Sequence, residues 1–521
     1  MIKQFSMLAL AGLLALPALV SAGVGPQSSD LDRKIQDLSA QLDQLKAQMA
    51  AQAEGNAATA AKVGALDGTV TSFSDRAEDW DLAARFKLNG DFRSRMDFYN
   101  AETINNNELD NDTAFTNRFR LNMRVGVTEN VEFKGRLAMY KAWGMESAWN
   151  DDSNTAFPQF DGNSTRTPSD NALRVDRAFV NFNNIGGAPI WFSIGRRPTT
   201  DGNPSNIRMN LDERSGTPLT MDYAFDGISM GYAYKWAGDI GNGRVRVCYG
   251  RGFEDGLQYD GEPMDDTDFV GVSWDILQKD DRFLYAQSFL AANVFNYPNF
   301  QDPIINQLAA LSPNDGRPGN QPAQEELGMF GYGPRENVGN IQHSGLTYMD
   351  KIAGLNYFAT GGWSRTDPNE KGMFNDFVGM MMGTTGPNQD SENGYHAHVG
   401  LRYDIDPIGL KLGTEWNYGS EYWIGFTPGH DDLYQSKIAT RGNVYEVYGI
   451  YDLPMGEAIS KYAKTFMRLG YQRYEYDYAG SNDWNMAPYD LDDATDRMKL
   501  GFLQDTIESA DQVYLTLEAT F

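Results

Sequence analysis

One cysteine, Cys248, stands in 521 residues, so no intrachain disulfide can form. For the same reason no CxxCH occurs, and the chain carries no c-type haem of its own. Past the first two dozen residues, no apolar run reaches the roughly 20 residues that a membrane helix needs. Basic residues are outnumbered, 44 Lys plus Arg against 71 Asp plus Glu, for a formal net charge of −27. A general nucleic-acid binder carries the opposite footprint, so nucleic acid is not an expected partner. Histidines number four: His343, His396, His398 and His430. His396 and His398 share a strand parity and could bind a metal or supply a base. No HExxH, GxSxG or carboxylate dyad accompanies them, and no nucleophile, base and orienting group can be assembled. Asp265–Asp268 and Asp490–Asp496 lack the glycine and terminal glutamate of an EF-hand loop. No catalysis, cofactor or resident metal is therefore expected.

What is present begins with MIKQFSMLALAGLLALPALVSA. Lys3 precedes an apolar run from Leu8 to Val20, and Val20-Ser21-Ala22 is a small-residue cleavage site. Residues 1–22 read as a secretory signal peptide. In residues 23–52, Leu31, Ile35, Leu38, Leu42, Leu45 and Met49 recur at spacings of four and three, with Asp, Lys and Gln between them. This is an a/d seam. It suits either a coiled coil with the same helix of another subunit or one amphipathic helix on the protein's own body. Residues 53–79 are rich in Ala and Gly and read as a linker.

From about Trp80 the period becomes two. In FKLNGDFRSRMDF, Phe86, Leu88, Phe92, Met96 and Phe98 share one parity, and Lys87, Asp91, Arg93, Arg95 and Asp97 share the other. NRFRLNMRVGV, ENVEFKGRLAMY and GRVRVCYG repeat the pattern. Strands are expected over 83–99, 115–127, 131–142, 172–183, 189–196, 223–236, 243–252, 267–276, 282–296, 340–349, 353–366, 394–405, 408–419, 443–453, 463–478 and 508–521. The joints alternate between short turns and long loops rich in Asn, Asp, Gly and Pro, the long ones including Ala101–Ala114 and Trp143–Asn171. That asymmetry describes an outer-membrane barrel over residues 80–521, all-β, antiparallel and of about 16 strands, with 14 and 18 left open. The last strand, QVYLTLEATF, ends in Phe521, which resembles the assembly signal of bacterial outer-membrane proteins.

In such a barrel the apolar parity meets lipid and the polar parity meets a wet lumen. Aromatics near strand ends, among them Phe98, Tyr140, Trp236, Trp423 and Tyr474, suit interfacial girdles. Lys87, Arg93, Arg95, Arg118, Arg120, Arg124, Lys134 and Arg136 fall on the lumen parity of the first three strands, and Arg244 and Arg246 lie further round. They form either an anion-attracting wall or a set neutralised by Asp91, Asp97 and Glu132. The third long loop, GRRPTTDGNPSNIRMNLDERSGTP, carries Arg196, Arg197, Asp201, Arg208, Asp212, Glu213 and Arg214.

From Trp80 to Phe521 the chain resembles the general diffusion porins. The resemblance implies passive conduction of ions and small hydrophilic solutes, with a third loop folded into the barrel so that its acids face the wall arginines. An external loop that never enters is the alternative. The heptads resemble those of porins with a periplasmic coiled coil, which implies a homotrimer in contact with outer-membrane lipid and lipopolysaccharide. A rival reading is a barrel sheathing a cytochrome partner in an electron conduit; an outer-membrane enzyme is a more distant one.

Overall fold

The computed structural model describes residues 28–144, 168, 171–197, 202–211, 221–223, 225–254, 256–257, 264–296, 336–427, 432, 436–454, 463–503 and 505–521. The expected signal peptide lies outside them. Two compact units are distinct, Met1–Leu82 and Ala83–Phe521.

The first unit is built on α1 (Ser28–Arg85), a single helix of 58 residues. It runs straight through 53–79, which corrects the reading of that stretch as a linker. The physical reason lies in the composition. Alanine is the strongest helix former, and the glycines Gly55, Gly64 and Gly68 each cost only about 1 kcal/mol against it. The heptad phase also survives: Val63 falls two heptads after Met49, and Leu66 three after Leu45. Ile35, Leu38, Leu42, Leu45, Met49, Val63 and Leu66 are all more than half exposed. Leu31 lies within the helix as expected.

The second unit consists of strands β1 (Phe86–Thr103), β2 (Glu108–Gly126), β3 (Val131–Ala142), β4 (Arg174–Phe182), β5 (Ile190–Arg197), β6 (Phe225–Lys235), β7 (Asn242–Phe253), β8 (Thr267–Lys279), β9 (Arg282–Phe295), β10 (Asn337–Ile352), β11 (Leu355–Pro368), β12 (Asn393–Ile405), β13 (Leu410–Gly419), β14 (Gly442–Leu453), β15 (Lys464–Tyr476) and β16 (Ile507–Thr520). Each pairs antiparallel with its sequence neighbours, and β1 pairs with β16, closing a barrel of 16 strands. Closure is completed at the last residue. Gly90 and Phe521 exchange backbone hydrogen bonds at 2.9 Å. The Phe521 ring comes within 2.6 Å of where a Cβ on residue 90 would sit, so the position needs glycine.

The alternation in sequence becomes two faces. Leu88, Val247, Leu346, Leu412 and Leu469 are exposed on the outside, while Asp91, Arg93, Arg95 and Asp97 are buried within. A long apolar exterior around a ring with no free edge is an outer-membrane type of barrel. Two expectations need correction. The stretch 101–114 is not a long loop: β1 and β2 continue to a turn at 104–107, because Thr103 and Glu108 still meet ladder partners. Tyr140, Tyr474 and Trp423 are not girdle residues. They are at most 5% exposed, pointing into the barrel or its cap, whereas Phe98 and Trp236 do remain on the surface.

Candidate functional site: a lumen crossed by the third loop

The first three strands do not present an open wall of cations. Arg120 pairs with Asp91 at 2.8 Å, and Arg118 with Asp91 at 3.3 Å and Glu518 at 3.0 Å. Arg95 pairs with Asp97 at 2.7 Å and lies over the Tyr514 ring. Arg136 pairs with Asp176, and Arg93 donates to the Tyr140 hydroxyl at 3.2 Å. Arg124 and Lys134 share Glu132, at 2.6 and 2.9 Å. Lys87 is exposed at the short-turn end. Of the two readings of this set, neutralisation therefore prevails. The cause is geometric: antiparallel register sets Asp91 directly beside Arg120, and Asp97 two residues along the same strand from Arg95. A carboxylate within reach of a half-desolvated guanidinium is taken up, since an unpaired buried charge costs several kcal/mol.

The third loop, between β5 and β6, enters the lumen. Its short helix α2 (Ser205–Met209) buries Ile207, Arg208 and Met209. Ile207 packs against Met349 and Phe358, and Leu211 against Tyr448, Ile450 and Phe466. These partners stand on β10, β11, β14 and β15. In a ring of 16, strand β13 is diametrically opposite β5, so the loop spans the barrel.

Among the described residues of the loop, the charge that meets the wall is a cation and not the expected acid. A loop cation meets wall and loop acids: Arg208 pairs with Asp432 at 2.7 Å and Glu446 at 3.1 Å. Burial opposes the charge on Arg208, but Asp432 and Glu446 outweigh it and hold the guanidinium above its ordinary range. Lys437 bridges Glu446 and Glu415, and His398 meets Glu415 at 3.0 Å. Backbone carbonyls of the loop are also held. The Arg208 carbonyl accepts from Arg468 at 3.0 Å, and the Asn210 carbonyl from Lys464 at 3.0 Å. Asp201, Asp212, Glu213 and Arg214 lie outside the described residues. Arg196 pairs with Asp226 at 3.7 Å, on the opposite parity from Arg197. His396 contacts Asn417 and stacks on Trp423, so both same-face histidines are buried in structural contacts.

The long-loop end is capped by an apolar cluster that includes Met221, Phe374, Phe426 and Trp484 from four loops, packed on the strand residues Phe225, Phe269 and Phe289. Arg441, fully buried, ties the cap through the carbonyls of Trp423, Ala479 and Asp483.

Beside the loop and cap lies a cavity of about 510 Å³ against β3–β9. Its origin is a run of small residues in register. Ser193, Ser229, Cys248 and Gly271 form one cross-strand row, and Gly195, Gly227 and Gly250 the row above. Larger side chains bound these rows: Trp191 and Arg246 below, Arg197 and Phe225 above. Lys134, Arg177, Arg197, Arg244 and Arg246 line the space, with Glu132 as the one carboxylate of the lining among the described residues. The sequence placed Arg244, Arg246 and Cys248 on one parity. It missed the matching rows, because small residues on four separate strands carry no signal until the register is known.

Among solved structures the chain is similar to the outer membrane protein OmpT of Vibrio cholerae. The in-vitro folded trimer form has 10% identity and a TM-score of 0.38 over 84% of this chain and 99% of that one. Another in-vitro folded form has 11% identity and a TM-score of 0.40 over 84% and 97%. No curated protein sequence matches. A family profile described as "Protein of unknown function (DUF3373)" matches residues 108–521, nearly the whole barrel, and the chain belongs to that family.

Proposed function

We propose that the protein is an outer-membrane channel for passive diffusion of small hydrophilic solutes, narrow rather than wide and favouring anions. The observation that carries this reading is the lumen itself. A ring of 16 strands is wide enough for an aqueous channel, yet here the third loop packs against β10, β11, β14 and β15, and a cationic cavity lies on the other side of the lumen, against β3–β9. The short-turn end of that cavity is wet, with the Arg244 side chain 45% and Lys134 38% exposed. Short turns face the periplasm in barrels of this type, so the cavity opens inward and the aromatic cap faces out. Local charge of this kind sets selectivity more than the net −27 does. The chain uses no covalent chemistry or cofactor for this task. A lumen occupied by the chain's own loop and cap favours solute passage over the sheathing of a second protein.

The test is single-channel recording from purified protein in a planar bilayer under a salt gradient. Small steps with a reversal potential of anion sign are expected. Folded barrel that never conducts, or steps of cation sign, would overturn the reading.

A further inference from the structure

The cavity is chemically two-sided, and this bears on what it holds. Three donors on the inward face of β5 have no hydrogen-bond acceptor among the described residues: Trp191 Nε1, Ser193 Oγ and Arg197 Nη1. A buried donor left unpaired costs about 1–3 kcal/mol, and three on one strand face form a row that an acceptor-rich group would satisfy. The guanidinium of Arg197 is held over the rings of Phe179 and Trp191, at 5.6 and 5.5 Å to their centroids, rather than by a carboxylate. Arg246 stands in the same cross-strand row as Trp191, with Gly231 between them. The other cations of the lining have acidic neighbours: Lys134 has Glu132 at 2.9 Å, Arg244 has Asp275 at 2.7 Å, and Arg177 has Asp176 at 3.8 Å. Arg246 is hydrogen-bonded to Tyr285 and also has Asp275 as an acidic neighbour, so among the described residues Arg197 is the cation of the lining with no carboxylate beside it. Above it the space is bounded by the buried apolar side chains Met221, Phe225, Phe269 and Phe289.

A small inorganic anion would satisfy the cations but gain nothing from this ceiling, and would lose hydration beneath it. A neutral aromatic would leave the donors unmet. We propose that the cavity is a binding station for small organic anions with a flat apolar body, of the aromatic monocarboxylate class. The carboxylate accepts from Arg197, Arg246 and the Trp191 indole N–H, and the ring lies against the aromatic ceiling. A volume of about 510 Å³ falls within the roughly 300–1,000 Å³ usual for small-molecule pockets. This assignment deepens the channel reading by naming its solute class, and it rests on that reading for its biological direction but not for its geometry.

Cys248 provides the test. It is the sole cysteine, it lines the cavity, and its Sγ lies 3.3 Å from Ser229 Oγ. The full folded chain in detergent is labelled with a sulfonate-bearing methanethiosulfonate, and the rate is read by mass. Benzoate is expected to slow labelling about tenfold, with its uncharged analogue benzamide and inorganic sulfate far weaker. Arg197→Gln and Arg246→Gln should each remove most of the protection, and Ser229→Phe, which fills the hollow, should remove all of it; heat-modifiable gel migration confirms that each variant folds. Equal protection by benzamide, equal protection by sulfate, or protection that survives both arginine variants would overturn the assignment. The readout needs no membrane current. A barrel that protects Cys248 but never conducts overturns the channel reading alone, and one that conducts without protection overturns only the site.

Discussion

Arg208 shows how much one side chain decides. It sits at the far tip of a loop that starts on β5, and both of its carboxylate partners, Asp432 and Glu446, are buried with it. Arginine suits the position because its planar fork can serve two acids at once. Removing it leaves two neighbouring acids in a desolvated site with only Lys437 as cation on Glu446. Breaking a buried pair from one side costs about 3–5 kcal/mol, and access of water to a barrel lumen puts this case near 3 kcal/mol. Arg208→Ala is therefore expected to lower the urea midpoint of unfolding, followed by heat-modifiable migration. It should also raise single-channel conductance several-fold, as the loop detaches from the β14 side. Glu446→Gln should cost less, since Arg208 keeps Asp432. Unchanged conductance in Arg208→Ala would show that the Ile207 anchor and the carbonyl contacts hold the loop without the ion pair.

The elements differ in how far the chain revealed them. Strands with clean alternation were legible almost to the residue: β3 runs over Val131–Ala142 as expected. The β1–β2 hairpin was not, because Asn and Asp in 101–114 mimic loop composition while the ladder continues beyond the apolar band. The helix through 53–79 is hidden for a related reason: its composition is rich in Ala and Gly, and the apolar heptad phase lapses after Met49 and resumes at Val63 and Leu66. Periodicity leaves entry of the third loop open, because its partners lie more than 140 residues away in sequence, from Met349 to Asp432 and beyond. The loop helices α3 (Phe377–Met381) and α4 (Ala494–Leu503) were invisible to periodicity, being short and held from outside. They clasp through Asp376, which accepts from Gly379 N at 2.9 Å, Tyr489 at 2.8 Å and Lys499 at 2.9 Å. Burial works to raise the pKa of Asp376, but the Gly379 amide, Lys499 and Tyr489 outweigh it and hold the carboxyl below its ordinary value. A depressed acid contributes stability above its unfolded pKa and loses it as pH falls through the folded one. The clasp should thus stay intact at neutral pH and loosen below about pH 4. Conductance recorded from pH 6 to pH 3 is expected to rise at the acid end in the wild type, while Asp376→Asn shows the raised level throughout. A flat wild-type profile would mean the clasp does not hold the cap shut.

At the scale of the whole molecule the question is what the helix seam is for. Seven apolar residues from Ile35 to Leu66 lie exposed in one heptad phase on α1. We propose that this stripe pairs with another helix of the same kind, a second copy of the chain being the partner whose register matches by construction. Between its two apolar blocks, at the seam positions after Met49, stand Gln52, Asn56 and Thr59. Polar residues at such positions fix register at the expense of stability, so the outer block should do most of the holding and the inner block some. Deleting Asp30–Ala51 removes the outer block but leaves Val63 and Leu66, and a stretch that short is marginal as an isolated helix. That deletion is expected to weaken the oligomer on mild detergent gels without abolishing it, the loss growing on dilution. Replacing Val63 and Leu66 by Glu in the deleted chain should remove what remains and leave monomeric, heat-modifiable barrels that still conduct. An oligomer that survives both changes would place its contacts on the barrel wall and leave the seam to some other helix.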